Sequence, residues 1–351
     1  MITVALDGRG AERGTDAIVS GVRAAVEDGI RVRVFGDPEG LAPLGGVDGV
    51  ELVEAPGEIT NDDEPVAAVR SRPEASIVRA ARDVAEGNAD ALASAGPTGA
   101  TMTAALFELR RMQGVRRPAL ALQLLVPGRE GPPILLLDVG ANTEARAVDL
   151  VQFAFLGAAF SEAVLGVSAP NVALLSVGEE QRKGRQDVIE AYERLSDTAR
   201  APGRSLAFIG NVEGRDLLSG AADVIVTDGF TGNVVLKTIE GTASAVAGAV
   251  RAAVRSGPLA AAGGLLLRPA LGELRRRMDP DTTGGAILLG LRGVAVVGHG
   301  SSGPEGIANA VRLAARAVEE RAVERTAELL ERTGTTRSGL RGEGPRAGSD
   351  A

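Results

Sequence analysis

Cysteine and tryptophan are absent from this chain of 351 residues, and tyrosine and histidine occur once each, as Tyr192 and His299. Without cysteine there is no disulfide framework, no thiol nucleophile and no thiolate metal site. A single histidine excludes a zinc site built on a histidine cluster and leaves little room for a Ser-His-Asp triad. Aromatic residues make up 2% of the chain while hydrophobic residues make up 44%. The core must then be alanine, valine, leucine and isoleucine, as in sheets covered by helices on both faces. Positive charge is short as well: the net charge of −8 argues against a nucleic-acid partner. The longest apolar stretch, around Leu259 to Leu267, falls well short of the roughly 20 residues that span a bilayer. The first residues, Met1-Ile-Thr-Val-Ala-Leu6, already read as a strand with no basic and apolar leader before them, so a cytosolic location is expected.

What is present is a series of short apolar strands, each running into a polar glycine turn, alternating with amphipathic helices. That pattern predicts an α/β fold with a mainly parallel sheet. Thr3 to Leu6 runs into Asp7-Gly-Arg-Gly10, Ala91 to Ala93 into Ser94-Ala-Gly-Pro-Thr-Gly-Ala100, and Ile134 to Leu137 into Asp138-Val-Gly-Ala-Asn142. Val172 to Leu175 runs into Ser176-Val-Gly-Glu-Glu180, Leu206 to Ile209 into Gly210-Asn-Val-Glu-Gly214, and Val294 to Val297 into Gly298-His-Gly-Ser-Ser-Gly303. So many polar turns at the carboxyl ends of strands predict one long groove at a single sheet edge, where ligands of parallel sheets bind. The most informative run is Asp223-Val-Ile-Val-Thr-Asp-Gly-Phe-Thr-Gly-Asn-Val-Val-Leu-Lys237. Its strand, glycine turn and helix start should present backbone N–H groups and a positive dipole end to an anion.

Of the 38 basic residues only Lys183 and Lys237 are lysines, and both stand beside glycine turns. A compact ammonium suits a phosphate or a developing oxyanion where the rigid fork of arginine does not. His299, between two glycines, has two readings: a donor to a carbonyl or phosphate oxygen, or a hydrogen bond that holds its own loop. Asn142, Asn211 and Asn233 sit in or beside strand-end turns, where asparagine is also common for conformational reasons. The run Asn61-Asp-Asp-Glu-Pro65 reads as a helix start in which Asp62 and Asp63 are caps, with Arg70 following as a candidate for anion contact. Residues 254–278 form an apolar and basic island, read either as a helical hairpin packed on the body or on a second subunit, or as a tip that touches an anionic membrane surface or an acidic protein. The tail 334–351 is rich in glycine, arginine and serine and is expected to be disordered, leaving a single domain over 1–333.

The runs Asp138 to Asn142, Asn211-Val-Glu-Gly-Arg-Asp-Leu-Leu218, Asp228 to Lys237 and His299-Gly-Ser-Ser302 together resemble the bacterial phosphate acyltransferase family. That family moves a fatty acyl group from acyl carrier protein to inorganic phosphate. Weaker matches are Asp62 to Pro65 with Ala68 to Arg70, Ser94 to Ala100 with Ala104 to Phe107, Gly114 to Leu120, and Gly178 to Gly184. The resemblance implies a three-layer α/β/α sandwich akin to phosphotransacetylases and to dehydrogenases of the isocitrate and isopropylmalate type, with a protruding helical pair. It also implies a homodimer at the entry to phospholipid synthesis, without metal or cofactor. Peripheral contact with the inner face of the membrane and hand-over to a downstream membrane acyltransferase follow from it too.

Carried onto this sequence, the resemblance gives catalytic roles to Lys183, Lys237, His299 and Asn233. It gives substrate or phosphate contact to Asp7, Arg70, Ser94, Gly96, Thr98, Asp138 and Asn142. The same role falls to Gly178, Glu180, Asn211, Glu213, Asp228, Gly229, Thr231, Gly232 and Ser301. Carrier or membrane contact falls to Leu265, Leu266, Arg268, Arg275, Arg276 and Arg277. Three turns depart from the family pattern: Asp7-Gly-Arg-Gly-Ala-Glu-Arg-Gly-Thr15 lacks a usual second acid and methionine, Pro97 replaces an asparagine, and Glu179 replaces a threonine. Rival readings are a coenzyme A-dependent phosphotransacylase, a decarboxylating dehydrogenase of related fold, and a non-catalytic scaffold that binds acyl carrier protein or membrane.

Overall fold

The computed structural model describes residues 1–126, 128, 131–200, 206–277 and 279–335. Its strands are β1 (Thr3–Asp7), β2 (Arg31–Gly36), β3 (Val50–Glu54), β4 (Ala91–Ser94), β5 (Ala119–Leu124), β6 (Ile134–Leu137), β7 (Asn171–Leu175), β8 (Ala207–Val212), β9 (Val224–Val226), β10 (Ala286–Leu289) and β11 (Val294–Val297). They form one sheet in the order β3-β2-β1-β4-β11-β10-β5-β6-β9-β7-β8. The helices are α1 (Thr15–Glu27), α2 (Pro65–Ser71), α3 (Ser76–Ala85), α4 (Thr98–Glu108), α5 (Ala147–Ala163), α6 (Gln186–Arg200), α7 (Gly229–Val254), α8 (Pro258–Arg277), α9 (Pro304–Glu319) and α10 (Ala322–Thr333).

Side chains alternate across each strand, and the core divides accordingly into two layers. Val4 and Leu6, Leu135 and Leu137, and Val224 and Val226 pack under α1, α5, α6, α9 and α10. Ala5, Leu136 and Ile225 pack on the other face, with α2, α3, α4 and the first turns of α7. The three-layer α/β/α arrangement expected from the sequence is therefore present. Not every helix is amphipathic, however. α5 is buried nearly all round and carries Phe153, Phe155 and Phe160, three of the seven phenylalanines.

The single sheet edge expected for all the turns is not what the topology gives. β1, β2, β3, β4 and β11 are mutually parallel, and so are β6, β7, β8 and β9. Between the two sets lie three antiparallel pairings, β11 with β10, β10 with β5 and β5 with β6. An odd number of reversals sets the two halves running in opposite directions. Their glycine turns consequently form two clusters, one per half. Neighbouring strands rotate by roughly 20–25°, so the four steps from β11 to β9 turn the strand direction by about 90° and bring the two clusters toward a shared cleft.

α7 and α8 make a helical pair that leaves the body: no residue from 233 to 272 is buried. The pair starts earlier than the island at 254–278, because α7 continues unbroken from the turn after β9. Pro269 lies inside α8. Among the described residues no helix is long and apolar enough to cross a membrane. The tail expected to be disordered lies outside the described residues beyond Thr335, whose carbonyl accepts a hydrogen bond from Gln152 Nε2 at 3.0 Å.

Candidate functional site

In the half built on β6 to β9, Asp138 ends β6 fully buried. Its Oδ1 accepts the N–H groups of Leu120, Gly140 and Ala141 at 3.0, 3.1 and 2.9 Å. Its Oδ2 accepts the Asn142 N–H at 2.7 Å and the Asn142 Nδ2 at 2.8 Å. Burial pushes this carboxyl upward, and the surrounding donors oppose the shift. Asn142 also donates to Pro118 O at 2.8 Å, and its carbonyl accepts the Gly229 N–H at 2.7 Å. Both residues organise the turn.

The start of α7 packs directly on that turn. A Cβ at Gly229 would come within 2.6 Å of Asn142 O, and one at Gly232 within 1.9 Å of Asp138 O. These glycines are required by close approach of backbones. Asp228 caps the helix, accepting the Thr231 N–H and Oγ1 at 2.9 Å each, and the Arg185 Nη1 at 3.2 Å. The Gly229 and Thr231 amides are already engaged by Asn142 and Asp228, and the anion at the dipole is the Asp228 carboxylate itself.

The turns after β7 and β8 lie farther out. Gly178 is buried, while Glu180 and Lys183 are exposed. The Lys183 carbonyl accepts from Ser176 Oγ at 2.9 Å. Asn211 donates to Glu180 O at 3.1 Å, and its Oδ1 is buried without a hydrogen-bond partner among the described residues. Glu213 and the substituted Glu179 each stand 3.4 Å from Arg215. No described hydrogen bond or ion pair joins Lys183 to Lys237 or His299.

In the opposite half, Asp7 ends β1 and is buried. It accepts hydroxyl donors from Ser76 at 2.6 Å and Ser94 at 2.9 Å, with the Arg9 N–H at 3.2 Å. Burial pushes its carboxyl up to about 6 against those hydrogen bonds. Ser94 Oγ in turn accepts the Gly96 N–H at 3.0 Å and is 3.1 Å from Thr101 Oγ1. Gly10, at φ 79°, lies so near that a Cβ would stand 3.1 Å from Gly96 Cα and 3.2 Å from Pro97 Cδ. Two of the departures from the family pattern, the first turn and Pro97, are thus in contact with each other. Thr98 is exposed as the first residue of α4, whose N-cap Pro97 offers no side-chain acceptor. Arg70 lies over the Phe107 ring at 5.3 Å, a cation–π contact. Asp63 pairs with Arg72 at 2.7 Å, while Glu64 caps α2.

The two halves meet at Lys237. Its Nζ lies 3.3 Å from His299 Nε2 and 2.9 Å from Glu240 Oε2. His299 Nδ1 is 2.7 Å from Ser301 Oγ. The Ser301 backbone N–H also donates to Nδ1 at 3.3 Å, so the loop grips one edge of the ring while the other faces the Lys237 ammonium. The His299 loop is held to its own half by Gly298 N–H to Ser94 O at 2.7 Å and Glu12 N–H to Gly300 O at 3.0 Å. Glu240 Oε1 is buried without a hydrogen-bond partner among the described residues, 3.9 Å from His299 Nε2. Sequence reasoning missed Glu240, although its place three residues after Lys237 on a helix was a usable signal. Asn233 is exposed one turn before Lys237. On α8, Leu265 and Leu266 are 67% and 84% exposed, and Arg268 and Arg276 are exposed as well. The side chains of Arg275 and Arg277 lie outside the described residues.

The family model described as "Fatty acid synthesis protein" matches residues 2–325. A phosphate acyltransferase of Heliobacterium modesticaldum is 44% identical over 324 residues, spanning 90% of this chain and 94% of the relative. One from Bacillus licheniformis is 43% identical over 320 residues, spanning 90% and 94%. Among solved structures, a phosphotransacetylase from Streptococcus pyogenes superposes with a TM-score of 0.59 at 17% identity, covering 91% of this chain and 94% of that one. A 4-hydroxythreonine-4-phosphate dehydrogenase from Klebsiella pneumoniae gives 0.51 at 13% identity, covering 90% and 98%. At such identities the likeness to both is one of fold.

Proposed function

The chain belongs to the fatty acid synthesis protein family and is an acyltransferase; from that premise we propose that it transfers a long-chain acyl group from acyl carrier protein to inorganic phosphate. The observation that carries this reading is the contact of Lys237 with His299, one residue from each oppositely running half of the sheet. It supports a site at which two substrates, each held by the turns of one half, are brought together.

The chemistry asked of the protein is modest. Phosphate ionises for the second time near neutrality, so a nucleophilic dianion needs no strong base. A thiolate whose thiol pKa is about 8.5 leaves with little acid help. One phosphate oxygen forms a bond to the thioester carbon, the carbon–sulfur bond breaks, and the carrier thiolate takes up a proton. The protein must hold phosphate against the carbonyl, stabilise the tetrahedral oxyanion and exclude water. Lys237 supplies positive charge to phosphate and oxyanion, with Asn233 one turn away. His299, whose ring Ser301 orients, supports the same charge. Glu240 is a positioning residue that holds the Lys237 ammonium. Asp7, Ser94 and Gly96 on one side, with Asp138 and Asn142 on the other, fix the turns that flank the cleft. Lys183 is assigned to phosphate from the second half's outer turn.

The α7–α8 pair supports two further parts of the reading. Leu259, Leu265 and Leu266 are exposed near Arg268, a pattern suited to a homodimer contact or to an anionic membrane surface. Peripheral contact there would place the acyl phosphate beside the membrane enzyme that consumes it.

Phosphate-dependent release of carrier thiol from a long-chain acyl carrier protein, with hydroxylamine trapping of the acyl phosphate, tests the proposal. Trapped product that scales with phosphate supports it. A folded protein that releases thiol independently of phosphate, or not at all, refutes it.

A further inference from the structure

The transfer reading leaves unexplained a cavity of 540 Å³ at the far end of α4, lined by Met102, Leu106, Arg110, Arg111, Arg117 and Asn142 among others. We propose that this cavity seats the phosphate of the carrier's phosphopantetheine arm, with the arm lying along α4 and its thioester at Lys237 and His299. The inference rests on the function proposed above and assigns the surface by which the acyl donor is held.

Charge is the first argument. A fourth arginine of the cavity, Arg116, is already neutralised, its Nε standing 2.8 Å from the buried Asp149. Arg117 Nη1 donates instead to Glu144 O at 2.9 Å, and the Arg111 guanidinium donates to Arg116 O. Among the described residues no carboxylate lies within ion-pair distance of Arg110, Arg111 or Arg117. What sets these three exposed guanidinium groups apart from the chain's other unpaired arginines is that they line one cavity together. Arginine's planar fork matches the oxygens of a phosphate diester.

Backbone geometry is the second. Arg110 has φ 62°, the left-handed region in which a residue after a helix is usually glycine or asparagine. An arginine held there is pinned by its surroundings: its carbonyl accepts the Arg292 N–H at 3.0 Å, and the Met112 N–H goes to Gly290 O at 2.9 Å. The segment that carries the guanidinium groups is thus fixed to the turn between β10 and β11. Placement of such a side chain on a strained residue is a known mark of ligand sites.

Length and wall chemistry are the third. α4 has 11 residues, or about 16 Å. The end of β4, four residues before α4 starts, is tied to the His299 loop through Ser94 O and the Gly298 N–H, and the end of α4 runs into Arg110. Met102 and Leu106, one turn apart, give the intervening wall an apolar stripe, with Thr103 beside it. A pantetheine arm is extended and alternates methyl and amide groups, which suits a wall of that kind.

Three donors of one acyl group decide the matter: acyl-pantetheine, acyl-phosphopantetheine and acyl carrier protein. The unaltered protein should use the phosphorylated arm about tenfold better in kcat/KM than the unphosphorylated one. Arg110→Gly relieves the left-handed backbone while removing one guanidinium, so a loss in that variant is not a folding defect. It and Arg111→Gln should each bring the ratio between the two small donors toward one, and should raise KM for acyl carrier protein. Equal use of the two small donors by the unaltered protein, or a ratio that survives both substitutions, overturns the inference. A preference for acyl-coenzyme A over acyl carrier protein overturns the choice of the carrier as source. Turnover with no thioester at all would instead strike the proposed function.

Discussion

Asp7 and Asp138 both end a strand, both are buried, and they stand in the two halves of the sheet that run in opposite directions. Their partners differ in kind. Asp138 is ringed by N–H donors, which cannot reverse, so its turn has one hydrogen-bond pattern. Asp7 is met chiefly by the hydroxyls of Ser76 and Ser94, which can rotate to accept as well as donate. One half of the site is therefore built around a carboxyl whose donors are fixed in direction. The other keeps a carboxyl whose proton can come and go near pH 6 without dismantling the turn.

The largest effect is expected at Asp138. Asp138→Ala removes the acceptor from five N–H bonds, one of them buried and four partly buried, and should cost about 3–5 kcal/mol in denaturant unfolding; a loss under 1 kcal/mol would show that the turn tolerates rearrangement. Gly232→Ala attacks the same turn from α7. With a Cβ 1.9 Å from Asp138 O the backbones must part, at about 3 kcal/mol, and the midpoint of unfolding should fall accordingly. A near-neutral result would mean that α7 can shift at no cost.

The opposite half should respond in the opposite sense. Asp7 is held at about 6 against an ordinary value of 3.8, so the native state binds this proton more tightly than the unfolded chain does. Its contribution is fully present below pH 3.8 and is lost as pH rises through about 6. Asp7→Asn should then raise stability at pH 7 by about 2 kcal/mol and flatten the fall between these two pH values. An unchanged slope would show that another group carries it. Ser94→Ala should have the smallest effect, about 1 kcal/mol. It should be larger at pH 7.5, where the hydroxyl supports a charge, than at pH 4.5; a cost equal at both would remove Ser94 from the titrating network.

Much of this was legible in the chain. The strands ending at Leu137, Val226 and Val297 fall where the apolar runs stop, because buried strands of an α/β sheet are short continuous runs. The two layers of helices followed from a chain with only 2% aromatic residues. The reversal of the sheet did not follow, since Ala286-Ile-Leu-Leu289 reads the same in either direction and only its pairing reveals that it is antiparallel. The glycines at 229 and 232 stand where backbones approach closely, and ligand contact places the same demand on a residue without a side chain, so the sequence does not separate the two. Lys237 and His299 stood out through rarity. Glu240 and Arg110 did not, since glutamate and arginine abound here and nothing local distinguishes those two. Rare residue types are what a sequence can flag; a common residue is made special only by its neighbours in space.

The central claim is that the two halves act as one site through Lys237 and His299. A kinetic double-mutant cycle tests it most directly, with Lys237→Gln, His299→Gln and the pair, read as kcat/KM for phosphate with an acyl carrier substrate. Joint action predicts that each single change costs nearly as much as both together, a coupling on the order of 1 kcal/mol or more. Losses that simply add, to within about 0.3 kcal/mol, would mean that the contact is incidental and that each half works alone.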